Sequence, residues 1–184
     1  ILIPLRASAN ATSCGVLTTI APVISSEEYV ATTTEHFDWI FADPDRRSDT
    51  GRKMVCMEDC SPNIIALMPR LRKISYRQAI KLSPMFDCEE AFRLLSPSTV
   101  EVVSIAGECK ELNIYTPSER DMLRIAIVGR GEWLFEPSAM HAEPTRSTFD
   151  PSAYRYMIIP DVALQKARVA IAALLHSASI WSNN

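Results

Sequence analysis

The chain has 184 residues, enough for one ordinary domain or part of a larger one. Its 47% hydrophobic content supports a packed core and excludes disorder as an account of the whole chain, while a net charge of −3 and an isoelectric point near 5.7 argue against gripping nucleic acid by bulk charge. Five glycines against twelve prolines disfavour glycine-rich phosphate loops and many-turned β barrels, and favour short helices with hard stops.

Residues 1–26 are apolar and rich in small side chains. ILIPL reads as a strand or as the start of a signal peptide; no basic leader precedes it, which speaks against the second. Asn10-Ala11-Thr12 fits the glycosylation pattern, which needs a secreted context to matter. Ser26, Glu27 and Glu28 mark a helix start, with Tyr29 and Val30 following. Thr34 is placed to cap a second helix, EHFDWIFA, with Phe37, Ile40 and Phe41 on one side, ending before Pro44. Residues 43–53 form a solvated loop. Asp43, Asp45 and Asp49 invite a calcium reading, but the loop lacks the sixth-position glycine and twelfth-position glutamate of an EF-hand.

The central stretch is Cys60–Leu82. Ser61 is placed to cap and Pro62 to stand first in a helix. Ile64, Leu67, Met68, Leu71 and Ile74 then share one side, and Arg70, Lys73, Arg77 and Lys81 the other, with Pro69 a predicted kink. The usual meaning of such a basic stripe is a solvated face; its functional alternative is an interaction surface for phosphate or an acidic partner. Asp87 caps a short helix, CEEAFRLL. Thr99–Leu112 reads as a helix, with a strand as the alternative because TVEVVSI is rich in β-branched residues. Thr116-Pro117-Ser118-Glu119 has the pattern of a capping box before Met122, Leu123 and Ile125. Residues 137–151 read as a connection, and 153–159 are ambiguous. Asp161 caps a last helix with a stripe of Leu164, Ala167, Ile171, Leu174, Leu175 and Ala178. Leu71, Ile171 and Leu174 are the predicted core positions.

No pattern singles out catalysis. A nucleophile elbow, a zinc-protease motif and a P-loop are all absent. Cys56 and Cys60 stand four apart, but no second pair completes a zinc set, and His36, His141 and His176 are dispersed. The five scattered cysteines suit a reducing intracellular compartment. No apolar run approaches the ~20 residues of a membrane helix. The start at Ile1 and the end IWSNN read as a piece of a longer protein, so a targeting signal has room outside it.

Asp59-Cys60-Ser61, Ala66-Leu67-Met68-Pro69, Leu71 and Ile74, followed by AYRYMIIP and DVALQKARVAIAALLHSASI, resemble the C-terminal part of the regulatory domain of fungal zinc-cluster transcription factors. The six-cysteine DNA-binding cluster of that family is absent, and residues 98–150 depart from its pattern. The resemblance implies a nuclear regulator of transcription without catalysis. It implies no cofactor in this segment, any zinc cluster lying outside it. Its partners would be other parts of the same protein or the transcription machinery, with no sequence-specific DNA binding and no membrane. The chain is thus expected to be mainly α, an irregular multi-helix single domain over 1–184 with 1–26 peripheral. A small helical enzyme or enzyme subunit with an unrecognised site is the alternative.

Overall fold

A computed structural model describes residues 2–5, 25–45, 57, 60–144, 152, 155–156 and 158–181, with the backbone alone described at 2–5 and 176–181. Its centre is a mixed sheet, which corrects the expectation of a mainly helical domain: helix and strand occur in about equal measure. In chain order the elements are β1 (Leu2–Leu5), α1 (Ser26–Thr32), β2 (Phe37–Ala42), α2 (Ile64–Ile74), β3 (Ser75–Leu82), α3 (Cys88–Leu95), β4 (Thr99–Ile105), β5 (Glu108–Thr116), β6 (Met122–Ile127), β7 (Gly131–Phe135), α4 (Val162–Lys166) and α5 (Ala170–Trp181). The seven strands lie in the order β1-β2-β3-β5-β4-β6-β7. β2 pairs with β3 in parallel, as β4 does with β6, and the remaining neighbours are antiparallel. So β2, β3, β4 and β6 all run one way and end at one edge of the sheet.

Several helix expectations fail for one reason. Phe37, Ile40 and Phe41 satisfy a helical spacing, but a short run of aromatic and β-branched residues is equally a buried strand. The β3 ladder decides it, with Phe37 opposite Ser75 and Phe41 opposite Ala79. The central stretch divides similarly. α2 stops at Ile74, where Ser75 turns extended, and Arg77 and Lys81 belong to β3. Pro69 stands inside α2 without ending it, and Asn63, not Ser61, caps the helix by accepting from the Ala66 N–H at 2.9 Å. Thr116 caps nothing. Its hydroxyl donates to the carbonyls of Leu95 and Pro97, and the residues after it continue into β6. Thr99–Leu112 takes its strand alternative, folded back as β4 and β5 around the Ala106-Gly107 turn, where both residues have positive φ.

Other helices form where local chemistry pointed. Asp87 accepts from the Glu89 and Glu90 N–H groups to cap α3. Asp161 accepts from the Ala163 N–H to cap α4. The last helix, expected to be continuous, is broken at Arg168, which adopts φ +58°. The segment 137–151, expected as a connection, contains a 3-10 helix over Pro137–His141 that buries Met140. The calcium-like loop from residue 46 to 56, Asp49 and Cys56 included, lies outside the described residues. So do most of 1–26 and the ambiguous Ala153 and Tyr154.

The core lies on one face of the sheet. Ile40, Ile80, Leu82, Val100, Val102, Leu112, Ile114, Leu123 and Ile125 are buried there against Ile64, Met68, Leu71 and Ile74 of α2, Ala91, Phe92 and Leu95 of α3, and Ala163 and Leu164 of α4. Of the predicted core positions, Leu71 is fully buried, Ile171 is half-buried and Leu174 is exposed. No described helix is long and apolar enough to cross a membrane.

Candidate functional site

The face opposite the core carries the polar chemistry. Side chains paired across strands project to the same side, so the registers assemble rows. Lys81 of β3 stands opposite Asn113 of β5, Asn113 opposite Glu101 of β4, and Glu101 opposite Arg124 of β6. One row nearer the starts of β3 and β4, Phe41, Ala79 and Tyr115 line up in the same way.

Glu101 is the hub of this face. It is only 6% exposed. A buried carboxylate needs partners, and this one has three: the Arg124 guanidinium at 3.0 Å, and the Asn113 amide and Tyr115 hydroxyl, each donating at 3.1 Å. Arg124 also forks onto Glu132 of β7 at 2.7 Å, and that carboxylate holds the guanidinium above its ordinary pKa. Burial first, and then the charge and hydrogen bond of Glu101, push the Tyr115 hydroxyl up to about 12.

At the carboxyl edge, β2 leaves the sheet through Asp43-Pro44-Asp45. Lys81 Nζ lies 3.3 Å from Asp43 Oδ2 and 3.7 Å from Glu111 Oε1. The Asp45 backbone exchanges hydrogen bonds with Ser61 at 2.7 and 3.0 Å, tying the exit of β2 to the approach to α2. Beyond β3, the Ser83–Asp87 loop is held by Lys166 donating to the Met85 carbonyl and by Arg168 pairing with Asp87 and Glu89. Between the two rows lies a trough of about 410 Å³, lined by Phe41, Ala79, Lys81, Glu111, Asn113 and Tyr115.

The four stripe residues do not form one surface: Arg70 and Lys73 belong to α2, and Arg77 and Lys81 to one face of β3. Arg70 donates to the carbonyls of Val30 at 2.9 Å and Thr33 at 2.8 Å, closing the C-terminal end of α1. Lys73 is exposed on α2. Arg77 lies over the Trp39 ring, 5.5 Å from its centroid, and Lys81 faces the trough. Among the described residues, no group of three histidine, cysteine or carboxylate side chains is disposed to hold a metal. Cys60 and Cys88 are buried, and burial raises the Cys88 thiol to about 11.

Glu101, Asn113, Tyr115 and Arg124 were not singled out by sequence. The signal for them is the period of two in ELNIYT and MLRIAI, where polar residues alternate with buried Leu112, Ile114, Leu123 and Ile125. Asp43 attracted notice only as a calcium candidate.

The sequence matches no known family profile and no curated protein. Among solved structures, the fold is similar to that of a chain described as "putative methyltransferase" from Porphyromonas gingivalis W83. The TM-score is 0.60 at 24% identity, over 78% of this chain and 37% of that one. The chain thus spans well under half the length of the protein it matches. An α/β fold of that kind replaces the all-helical regulatory domain, and the assignment to transcriptional regulation without catalysis is corrected with it.

Proposed function

We propose that this chain is part of a methyltransferase-type α/β enzyme, with its chemistry at the carboxyl edge of β2 and β3. The observation that carries the reading is the Asp43–Lys81 pair where two adjacent parallel strands end. In open α/β sheets, ligands bind in the crevice outside the carboxyl ends of the strands. The fold shared with the Porphyromonas gingivalis protein supports the reaction class.

A methyl acceptor loses a proton as its nitrogen or oxygen takes the methyl carbon. Asp43, half-buried and held by Lys81, is the carboxylate placed to orient that N–H or O–H and accept its proton. A donor such as S-adenosylmethionine supplies the electrophilic methyl group when bound. Doubly wound folds hold nucleotide groups on a glycine turn that opens a helix. Among the described residues, Gly107, Gly129 and Gly131 all lie in or beside the β4–β5 and β6–β7 turns. These residues therefore fit the acceptor side and not a whole donor site.

The test is transfer of labelled methyl from S-adenosylmethionine to nucleosides, oligonucleotides and small heterocyclic amines. Incorporation above a heat-inactivated control, falling at least about tenfold in Asp43→Asn, is expected for a general base. Absence of transfer to every acceptor, or equal transfer by Asp43→Asn, would remove the reading's support.

A further inference from the structure

On the face of the sheet opposite the core, the described residues form a shaped notch. Phe41, Ala79 and Tyr115 sit side by side on three neighbouring strands. Strands are spaced about 4.8 Å, so the two aromatic residues rise about 10 Å apart with only a methyl group between them. That gap leaves room over Ala79 for one planar ring between the two aromatic side chains. Two residues further along β3, about 7 Å away, Lys81 stands opposite Asn113, and Glu111 lies two residues beyond Asn113 along β5 with its Oε1 3.7 Å from Lys81 Nζ. Two residues in the other direction stands Arg77, which among the described residues makes no ion pair.

The polar groups define a donor and acceptor pattern. Both Asn113 amide hydrogens point to carboxylates, at 3.1 Å to Glu101 and 3.5 Å to Glu111, so its carbonyl oxygen remains to accept from a ligand. Glu111 is a second acceptor. Lys81 has three N–H donors and holds its two carboxylates at 3.3 and 3.7 Å, leaving capacity for a ring nitrogen. A ligand edge meeting this set must offer an amino group beside an unprotonated ring nitrogen. Adenine and cytosine present that edge; hypoxanthine and uracil present its inverse. With the ring between Phe41 and Tyr115, a phosphate trailing the other way is directed toward Arg77.

We propose that this trough binds an aminated nucleobase carrying phosphate, with the base ring over Ala79. The inference does not rest on methyl transfer, because binding is measured without any donor. The same chemistry comes from a free nucleotide or from a base within a single strand, and the experiment separates them.

The full chain is titrated with AMP, CMP, IMP and UMP, followed by tryptophan fluorescence and by NMR of the Ala79 methyl and the Asn113 side-chain amide. Saturable binding of AMP or CMP that shifts both signals is expected, with IMP and UMP at least about tenfold weaker, as for a site whose polar groups are left unpaired by the wrong edge. Ala79→Leu fills the notch from a half-buried surface position and should weaken binding at least tenfold, with the melting temperature retained. If that variant does not fold, Phe41→Ala removes one wall and should weaken binding similarly. A short adenine oligonucleotide binding more tightly than AMP, with the same sensitivity to Ala79→Leu, identifies a base in a strand; equal affinity identifies the free nucleotide. Absence of saturable binding, indifference to both variants, equal affinity for IMP and AMP, or shifts confined to other residues would overturn the proposal.

Discussion

At the scale of single residues, burial separates side chains that the helical pattern had grouped. Leu71 is fully buried beneath the sheet and Leu174 is 37% exposed. Leu71→Ala should therefore cost about 2–5 kcal/mol, a lost side chain plus its cavity, whereas Leu174→Ala should stay within about 0.5 kcal/mol. Urea denaturation of the two variants checks both figures, and similar losses would mean the assigned faces are wrong. Tyr115 and Cys88 make a second prediction. Their folded pKa values, about 12 and about 11, lie above unfolded values near 10 and 9. The fold favours their protonated forms. Their contribution to stability is present in full below the unfolded values and is lost as pH rises from 9 toward 12. Titration of tyrosine absorbance should show one high-pKa phenol, and Glu101→Gln should lower it only in part, because burial, the larger cause, remains. A single unshifted transition would contradict the buried network. By the same logic Cys88 should resist alkylation at pH 8 until the chain is unfolded, since the thiolate is the reactive form.

At the scale of elements, long-range ties reinforce helix ends beyond their local caps. Arg70 gathers carbonyls at the C-terminal end of α1 from its place on α2. Arg70→Ala leaves acceptors near that end unpaired and should cost about 1–3 kcal/mol, the penalty for stranded polar groups. Hydrogen exchange should show the loss concentrated in α1, and a uniform loss across the sheet would contradict this. Asp87 both caps α3 and receives Arg168, which sits at φ +58° between α4 and α5. Asp87→Ala removes both roles. It should exceed the ~1 kcal/mol typical of an N-cap by only a fraction, because the ion pair is about half exposed and screened. Chemical denaturation of Asp87→Ala beside Arg168→Ala checks that order. The capping at Asp87 and Asp161 was legible in sequence, since each bond spans two or three residues. Strands stood open in the sequence only at ILIPL and over Thr99–Leu112; the others were not legible. FDWIFA, SYRQAIKL and MLRIAI carry apolar residues at spacings that suit either state, and their backbone partners are supplied from other parts of the chain.

At the scale of the whole molecule, the sheet brings Asp43 to Lys81, 38 residues apart, and Glu101 to Arg124, 23 apart. A far-UV circular dichroism spectrum should accordingly show mixed helix and strand content, and a purely helical spectrum would refute the fold. Of the candidate site, the sequence alone offered Lys81 and Arg77 as members of a helical stripe, and the structure sets them on one strand, facing a trough and a tryptophan. By itself the sequence determined that a core exists, where α3 and α4 begin and that Leu71 is inside, because hydrophobic content, capping and single-turn spacing are local properties. Tertiary structure alone decided that β2 and β3 are strands, that one face of the sheet is polar and that Asp43 meets Lys81. A strand satisfies its N–H and C=O groups only through a neighbour distant in sequence, and the register of that pairing selects the side chains that meet.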